Sequence, residues 1–117
     1  MPRAATTADV FNAIAEPRRR QIIDLLAARH PQPVGDLVTA LRLPQPAVSK
    51  HLGVLRKVGI VTVTQQGQNR LYQLNAQSLK PVHDWVKTYE RYWSQQLKRI
   101  KDRAERSAAQ QSQKTKP

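Results

Sequence analysis

Cysteine is absent from the 117 residues. That excludes disulfide cross-links, thiolate metal sites and thiol redox switching, while leaving the compartment open. Long apolar runs are missing as well. No stretch approaches the ~18 apolar residues of a membrane-spanning helix. The opening residues "MPRAATTADVFNAIAEP" lack the continuous apolar segment of a signal peptide, and Asp9 and Glu16 run against a mitochondrial presequence. The expectation is a cytoplasmic protein with no membrane partner. Aromatics are few, one Phe, two Trp and three Tyr, and four of these six lie between residues 85 and 93.

Negative charge is scarce too. Asp and Glu number 8 against 20 Lys and Arg, a net charge of +12. Residues 1–97 hold 13 basic and 6 acidic groups and residues 98–117 hold 7 and 2, so the excess is not confined to a tail. A polyanion is the natural partner for such a chain, nucleic acid most often. The length fits one domain with a small core, for which a shared dimer core would add stability. No paired-carboxylate cleft, nucleophile elbow or phosphate loop is present, so neither catalysis nor a cofactor is expected.

Apolar periodicity divides the chain into helices. Val10, Phe11, Ile14 and Ala15 recur at helical spacing after a Thr/Asp start. Pro17 suits the first turn of a second helix, "PRRRQIIDLLAARH", which buries Ile22, Ile23, Leu25 and Leu26. "HPQP" reads as a turn. A third helix, "VGDLVTALRL", carries Val34, Leu37, Val38 and Leu41 on one face. After Gly59 the period becomes two: "IVTVTQQ" and "RLYQLN" flank "GQN" as a β-hairpin with a polar tip. A long helical pattern then runs from Ser78 to about Arg106 through Val82, Trp85, Val86, Tyr89, Trp93, Leu97 and Ile100. Residues 107–117, "SAAQQSQKTKP", have no apolar period and are expected to be a disordered basic tail.

Between the third helix and the hairpin lies "LPQPAVSKHLGVLRKVG". At about 100° per residue, a helix over 45–58 gathers Val48, Leu52 and Leu55 into one narrow stripe. Pro46, Ser49, Lys50, Gly53 and Lys57 fall opposite, flanked by Gln45 and Arg56. The outer face thus offers a hydroxyl, an amide and ammonium groups near its N-terminal end. An α-helix fits the major groove of DNA, where its N-terminal side chains reach base edges. With the preceding helix and the tight "RLPQ" turn, this makes a helix-turn-helix, and the hairpin 61–74 becomes its wing. The expected fold is mainly α with a small β-hairpin: four helices, the hairpin and a fifth helix, over residues 1–106.

"FNAIAEPRRRQIIDLLA", "LPQPAVSKHLGVLRKVGIV" and "GQNRLYQLN" together resemble the ArsR family of bacterial winged helix-turn-helix repressors, over about residues 8–100. "EPRRRQIIDLL", "PQPAVSKHL" and "WVKTYERYW" resemble its metal-independent branch. The resemblance implies a homodimer that binds a pseudo-palindromic operator in double-stranded DNA and represses transcription. It places Ser49 and Lys50 at positions that read DNA.

The other candidate contacts follow from residue chemistry. Gln45 can pair with adenine or cap the helix start. His51, at the edge of the stripe, is a half-buried spacer or a phosphate contact. Arg56 and Lys57 are phosphate ligands, adding affinity without sequence choice. At the wing tip, Gln68 and Asn69 can bond phosphates and Arg70 can enter a minor groove. Arg18, Arg19 and Arg20 open a helix whose dipole favours anions. One or two of them, Arg18 and Arg19 in the first place, are expected on phosphate, and another in an ion pair with Glu16 or Asp24. The aromatic stripe of the last helix, with Val82, Trp85, Val86, Tyr89, Trp93 and Leu97, is the expected dimer seam. By the resemblance, the first helix completes it through Val10, Phe11 and Ile14.

Metal binding is not expected. His30, His51 and His83 lie in separate elements, and His83 has only Asp84 and the more distant Glu90 near it. The alternatives are a metal- or ligand-responsive sensor of the same fold, or an RNA-binding or ribosome-associated basic protein. Against RNA, only Tyr72 lies outside the two terminal-helix regions to stack on a base.

Overall fold

In the computed structural model, residues 6–114 are described, with side chains for residues 6–111. The chain divides into two units, one ending at Val82 and one beginning at His83. In the first, α1 (Thr7–Ile14), α2 (Pro17–Ala28), β1 (Gln32–Pro33), α3 (Val34–Leu41), α4 (Gln45–Lys57), β2 (Val61–Gln66) and β3 (Asn69–Leu74) follow in order. A 3₁₀ turn over Ala76–Leu79 leads into α5 (Lys80–Lys114), most of which forms the second unit.

Local chemistry sets the helix boundaries. Thr6 and Asp9 start α1 with a capping box: Thr6 Oγ1 accepts from the Asp9 N–H at 3.2 Å, and Asp9 Oδ2 accepts from the Thr6 N–H at 2.9 Å. Glu16 caps α2 by accepting from the Arg19 N–H at 3.0 Å, and Pro17 occupies its first turn. Arg42, at φ 56°, ends α3 and turns the chain toward Pro44 and α4.

The core brings α1–α4 and the sheet together. Ile22, Leu26, Leu37, Val48, Leu52, Leu55, Ile60 and Val61 are almost wholly excluded from solvent. Each such side chain stabilises the fold by roughly 1.5–3 kcal/mol. Tyr72 closes the core from β3.

The expected two-stranded hairpin is part of a three-stranded antiparallel sheet in the order β1-β3-β2. The extra strand lies in "HPQP", expected to be a turn: Gln32 pairs with Tyr72 and Pro33 with Leu71. Pro33 has no N–H to donate and stands on an edge strand, where that lack is tolerated. Gln32 is buried, and its amide Nε2 donates to the carbonyls of Leu25, in α2 at 2.8 Å, and of Arg29, which caps the end of α2.

The last helix also differs from expectation. The helical pattern expected from Ser78 begins as the 3₁₀ turn, and α5 starts at Lys80. Residues 107–114, expected to be disordered, continue α5. Ala, Gln and Lys are strong helix formers even where no apolar period exists, so a helix already nucleated upstream propagates through them. The rest of the expected tail, residues 115–117, lies outside the described residues.

Candidate nucleic-acid interface

The α4 stripe is inward as its spacing requires: Val48, Leu52 and Leu55 are at most 2% exposed. Gln45, Pro46, Ser49, Lys50, Gly53, Arg56 and Lys57 are all exposed. Gln45 makes no capping hydrogen bond; Pro44 holds the cap position and its carbonyl accepts from the N–H groups of Ala47 and Val48. Of the two readings of Gln45, the helix start therefore does not use its amide.

The hairpin tip lies at the end of β2 and β3. Gln66 pairs with Asn69, leaving Gly67 and Gln68 as a two-residue turn. Gly67 has φ 64°, the left-handed value this kind of tight hairpin turn demands at its first position. Gln68, Asn69 and Arg70 are exposed there. At the base of the hairpin, the Gly59 carbonyl accepts from Ser78 Oγ at 2.7 Å and from Asn75 Nδ2 at 3.1 Å. This fastens the chain after β3 to the end of α4, so helix and wing are held in one unit.

The three arginines of α2 separate into two roles. Arg18 is exposed, and its Nη1 donates to Gln21 Oε1 at 3.1 Å. Arg19 is half-buried: its Nε donates to the Ala13 carbonyl at 2.5 Å and its Nη2 to the Asn12 carbonyl at 3.2 Å. Arg20 Nη1 donates to the carbonyls of Ile14 and Ala15 at 2.8 and 3.1 Å. In the single chain Arg19 is thus engaged with the end of α1, unlike the freely exposed Arg18. The last carbonyls of a helix lack intrahelical donors, α1 has no basic residue in its last turn, and the guanidinium groups of α2 supply the missing donors. Arg19 also acts on Glu16, through its backbone N–H at 3.0 Å and through its charge.

His51 is half-buried, with its Nδ1 shut away from solvent and without a hydrogen-bond partner. Its ring lies near enough to Glu16, the cap of α2, to act on that carboxylate electrostatically. At Glu16, desolvation opposes the charge. The backbone N–H groups of Arg19 and Arg18, helped by the nearby His51 and Arg19 charges, outweigh it and hold the carboxyl below the ordinary carboxylate range.

The residues expected at a dimer seam also separate. Val10 is 4% exposed within its own chain, and Ile14 and Val82 pack against the same core. Val10 is thus covered by its own chain, while Ile14 and Val82 pack against the core and stay half-buried. Phe11 and Val86 are half-buried. Along α5, Trp85, Tyr89, Tyr92, Trp93, Leu97 and Ile100 are between 44 and 72% exposed. They fall within an arc of about 140° on the helix, and Trp85 meets Tyr89 edge-on at 5.7 Å between ring centroids. Among the described residues no three His, Cys, Asp or Glu side chains gather as a metal site, and no helix is long and apolar enough to cross a membrane.

Residues 16–63, from the cap of α2 to the middle of β2, match the family model of bacterial regulatory proteins of the arsR family. An uncharacterized HTH-type transcriptional regulator of Methanocaldococcus jannaschii is 32% identical over 70% of this chain and 92% of its own length. The transcriptional repressor SdpR of Bacillus subtilis is 32% identical over 67% of this chain and 86% of its own. Among solved structures, the homodimeric winged helix-turn-helix DNA-binding domain of a Mycobacterium bovis protein aligns with a TM-score of 0.58 at 28% identity, over 71% of this chain and 76% of that one. With the helix-turn-helix, the wing and these likenesses in hand, the chain belongs to the ArsR family of bacterial regulatory proteins, a family of winged helix-turn-helix transcriptional regulators and not of enzymes.

Proposed function

We propose that this protein is a cytoplasmic homodimeric repressor that presents α4 of each subunit to a major groove of a pseudo-palindromic operator. The observation that carries this reading is the two-sidedness of α4. Its apolar stripe is fully used inside, while a hydroxyl, an amide and three cationic groups stand outside with an exposed wing tip in the same unit. In this reading Ser49, Lys50 and Gln45 address base edges. Arg18, Arg56, Lys57 and the wing residues Gln68, Asn69 and Arg70 hold the DNA backbone or its minor groove. The exposed aromatic arc of α5, with Phe11, meets a second copy. Exposed apolar area of this extent favours a protein partner over water, and the similar Mycobacterium bovis domain is a homodimer. Repression is supported by the likeness to SdpR. Two-fold symmetry spaces the half-sites about 34–36 Å apart, or a multiple of that.

The test is footprinting on the promoter region of the protein's own gene, then titration of the protected duplex against a scrambled one. Ser49→Ala and Lys50→Ala are expected to reduce the preference by about 5- to 150-fold, the equivalent of roughly 1–3 kcal/mol. Lys57→Ala is expected to weaken both duplexes alike, since a phosphate carries no sequence information. An unchanged preference in both Ser49→Ala and Lys50→Ala proteins would mean that α4 does not read the sequence.

A further inference from the structure

The outer arc of α4 is centred on Gly53, and nothing inside the molecule asks for a glycine there. A Cβ at this position meets no atom within 4 Å. The residue is exposed, lies mid-helix, and lacks the positive φ that Gly59 and Gly67 have. Glycine inside a helix destabilises it relative to alanine. Gly53 is therefore unfavourable for the fold and unneeded by its packing. Around the helix, Pro46, Ser49, Lys50 and Lys57 all lie within about 60° of it, so the gap sits in the middle of the candidate reading face.

We infer that Gly53 is the point of closest approach between α4 and the floor of the major groove, and that its missing side chain sets how deeply Ser49 and Lys50 reach. This rests on the operator reading and deepens it: Gly53 acts as a positioning residue. A helix with its side chains is about 10–12 Å across, close to the groove's width of about 12 Å. Added bulk at the residue facing the groove floor lifts the whole helix, and its neighbours lose their base contacts together.

The experiment uses a duplex enriched by the unmodified protein from a random-sequence pool, and a scrambled duplex of equal length. Gly53→Ala and Gly53→Gln are compared with Gly35→Ala, whose glycine in α3 is likewise exposed and open. Gly53→Ala is expected to melt about 2–8 °C above the parent. It is nevertheless expected to bind the enriched duplex about 10-fold more weakly, and Gly53→Gln about 100-fold more weakly. Gly35→Ala should stay within about twofold of the parent. If both Gly53 variants bind the enriched duplex like the parent while Lys50→Ala loses affinity, α4 reads DNA without close approach at Gly53, and the inference is overturned. If the parent enriches no duplex, the operator reading fails and takes the inference with it.

Discussion

Arg19 Nε donates to the carbonyl oxygen of Ala13 at 2.5 Å, joining the first turn of α2 to the last turn of α1. A charge-assisted hydrogen bond of this kind contributes about 1.5–3 kcal/mol, less where water competes. Arg19→Ala is accordingly expected to lower stability by about 1–2 kcal/mol in chemical denaturation. Arg18→Ala, losing only a surface contact with Gln21, should stay within about 0.5 kcal/mol of the parent. An Arg19→Ala protein that unfolds like the parent but binds DNA poorly would return Arg19 to the phosphate contacts.

Glu16 carries a pH dependence. Its carboxyl is held below the ordinary range in the folded protein, so the folded state binds its proton less readily than the unfolded chain. Its stabilising effect is fully present above the unfolded pKa and is lost as pH falls through the lower folded value. Melting temperature followed from neutral pH into the acid range should fall less steeply for Glu16→Gln than for the parent. Parallel curves would show that the Glu16 charge adds nothing to the α2 cap.

Binding to DNA should depend steeply on salt. If the dimer neutralises about 6–10 phosphates, affinity falls roughly 10³–10⁵-fold between about 50 and 200 mM salt. Removing Arg56, Lys57 or Arg18 takes one contact from each subunit and should in each case reduce the slope of log affinity against log salt by about 2. A slope unaffected by all three would place the phosphate contacts elsewhere.

On α5, Tyr89 and Trp93 are 44 and 50% exposed in the single chain. Their replacement by glutamate should leave the unit ending at Val82 folded and convert dimer to monomer. Sedimentation gives the mass and circular dichroism the fold. A double variant that sediments as a folded dimer puts the interface on another surface.

What the sequence determined by itself is what repeats along it. The 3.6-residue recurrence of Val48, Leu52 and Leu55 made α4 two-sided before any fold was known, and the alternation after Gly59 marked the hairpin, because side-chain direction follows backbone period. The tertiary structure decided what period cannot encode. Two residues, Gln32 and Pro33, are too few to alternate, and they form a strand because β3 is beside them. Three successive arginines opening α2 look alike in the sequence, and only the fold shows that the α1 carbonyls engage Arg19 and Arg20 and not Arg18. The apolar spacing of Val10, Ile14 and Val82 is the same whether they face their own core or a partner; only the packing of the chain buried Val10 and left Ile14 and Val82 half-buried against the core. Periodicity is a property of the backbone alone, whereas the occupant of an apolar face, like the acceptor of a free donor, is whatever distant segment the fold brings within a few ångströms.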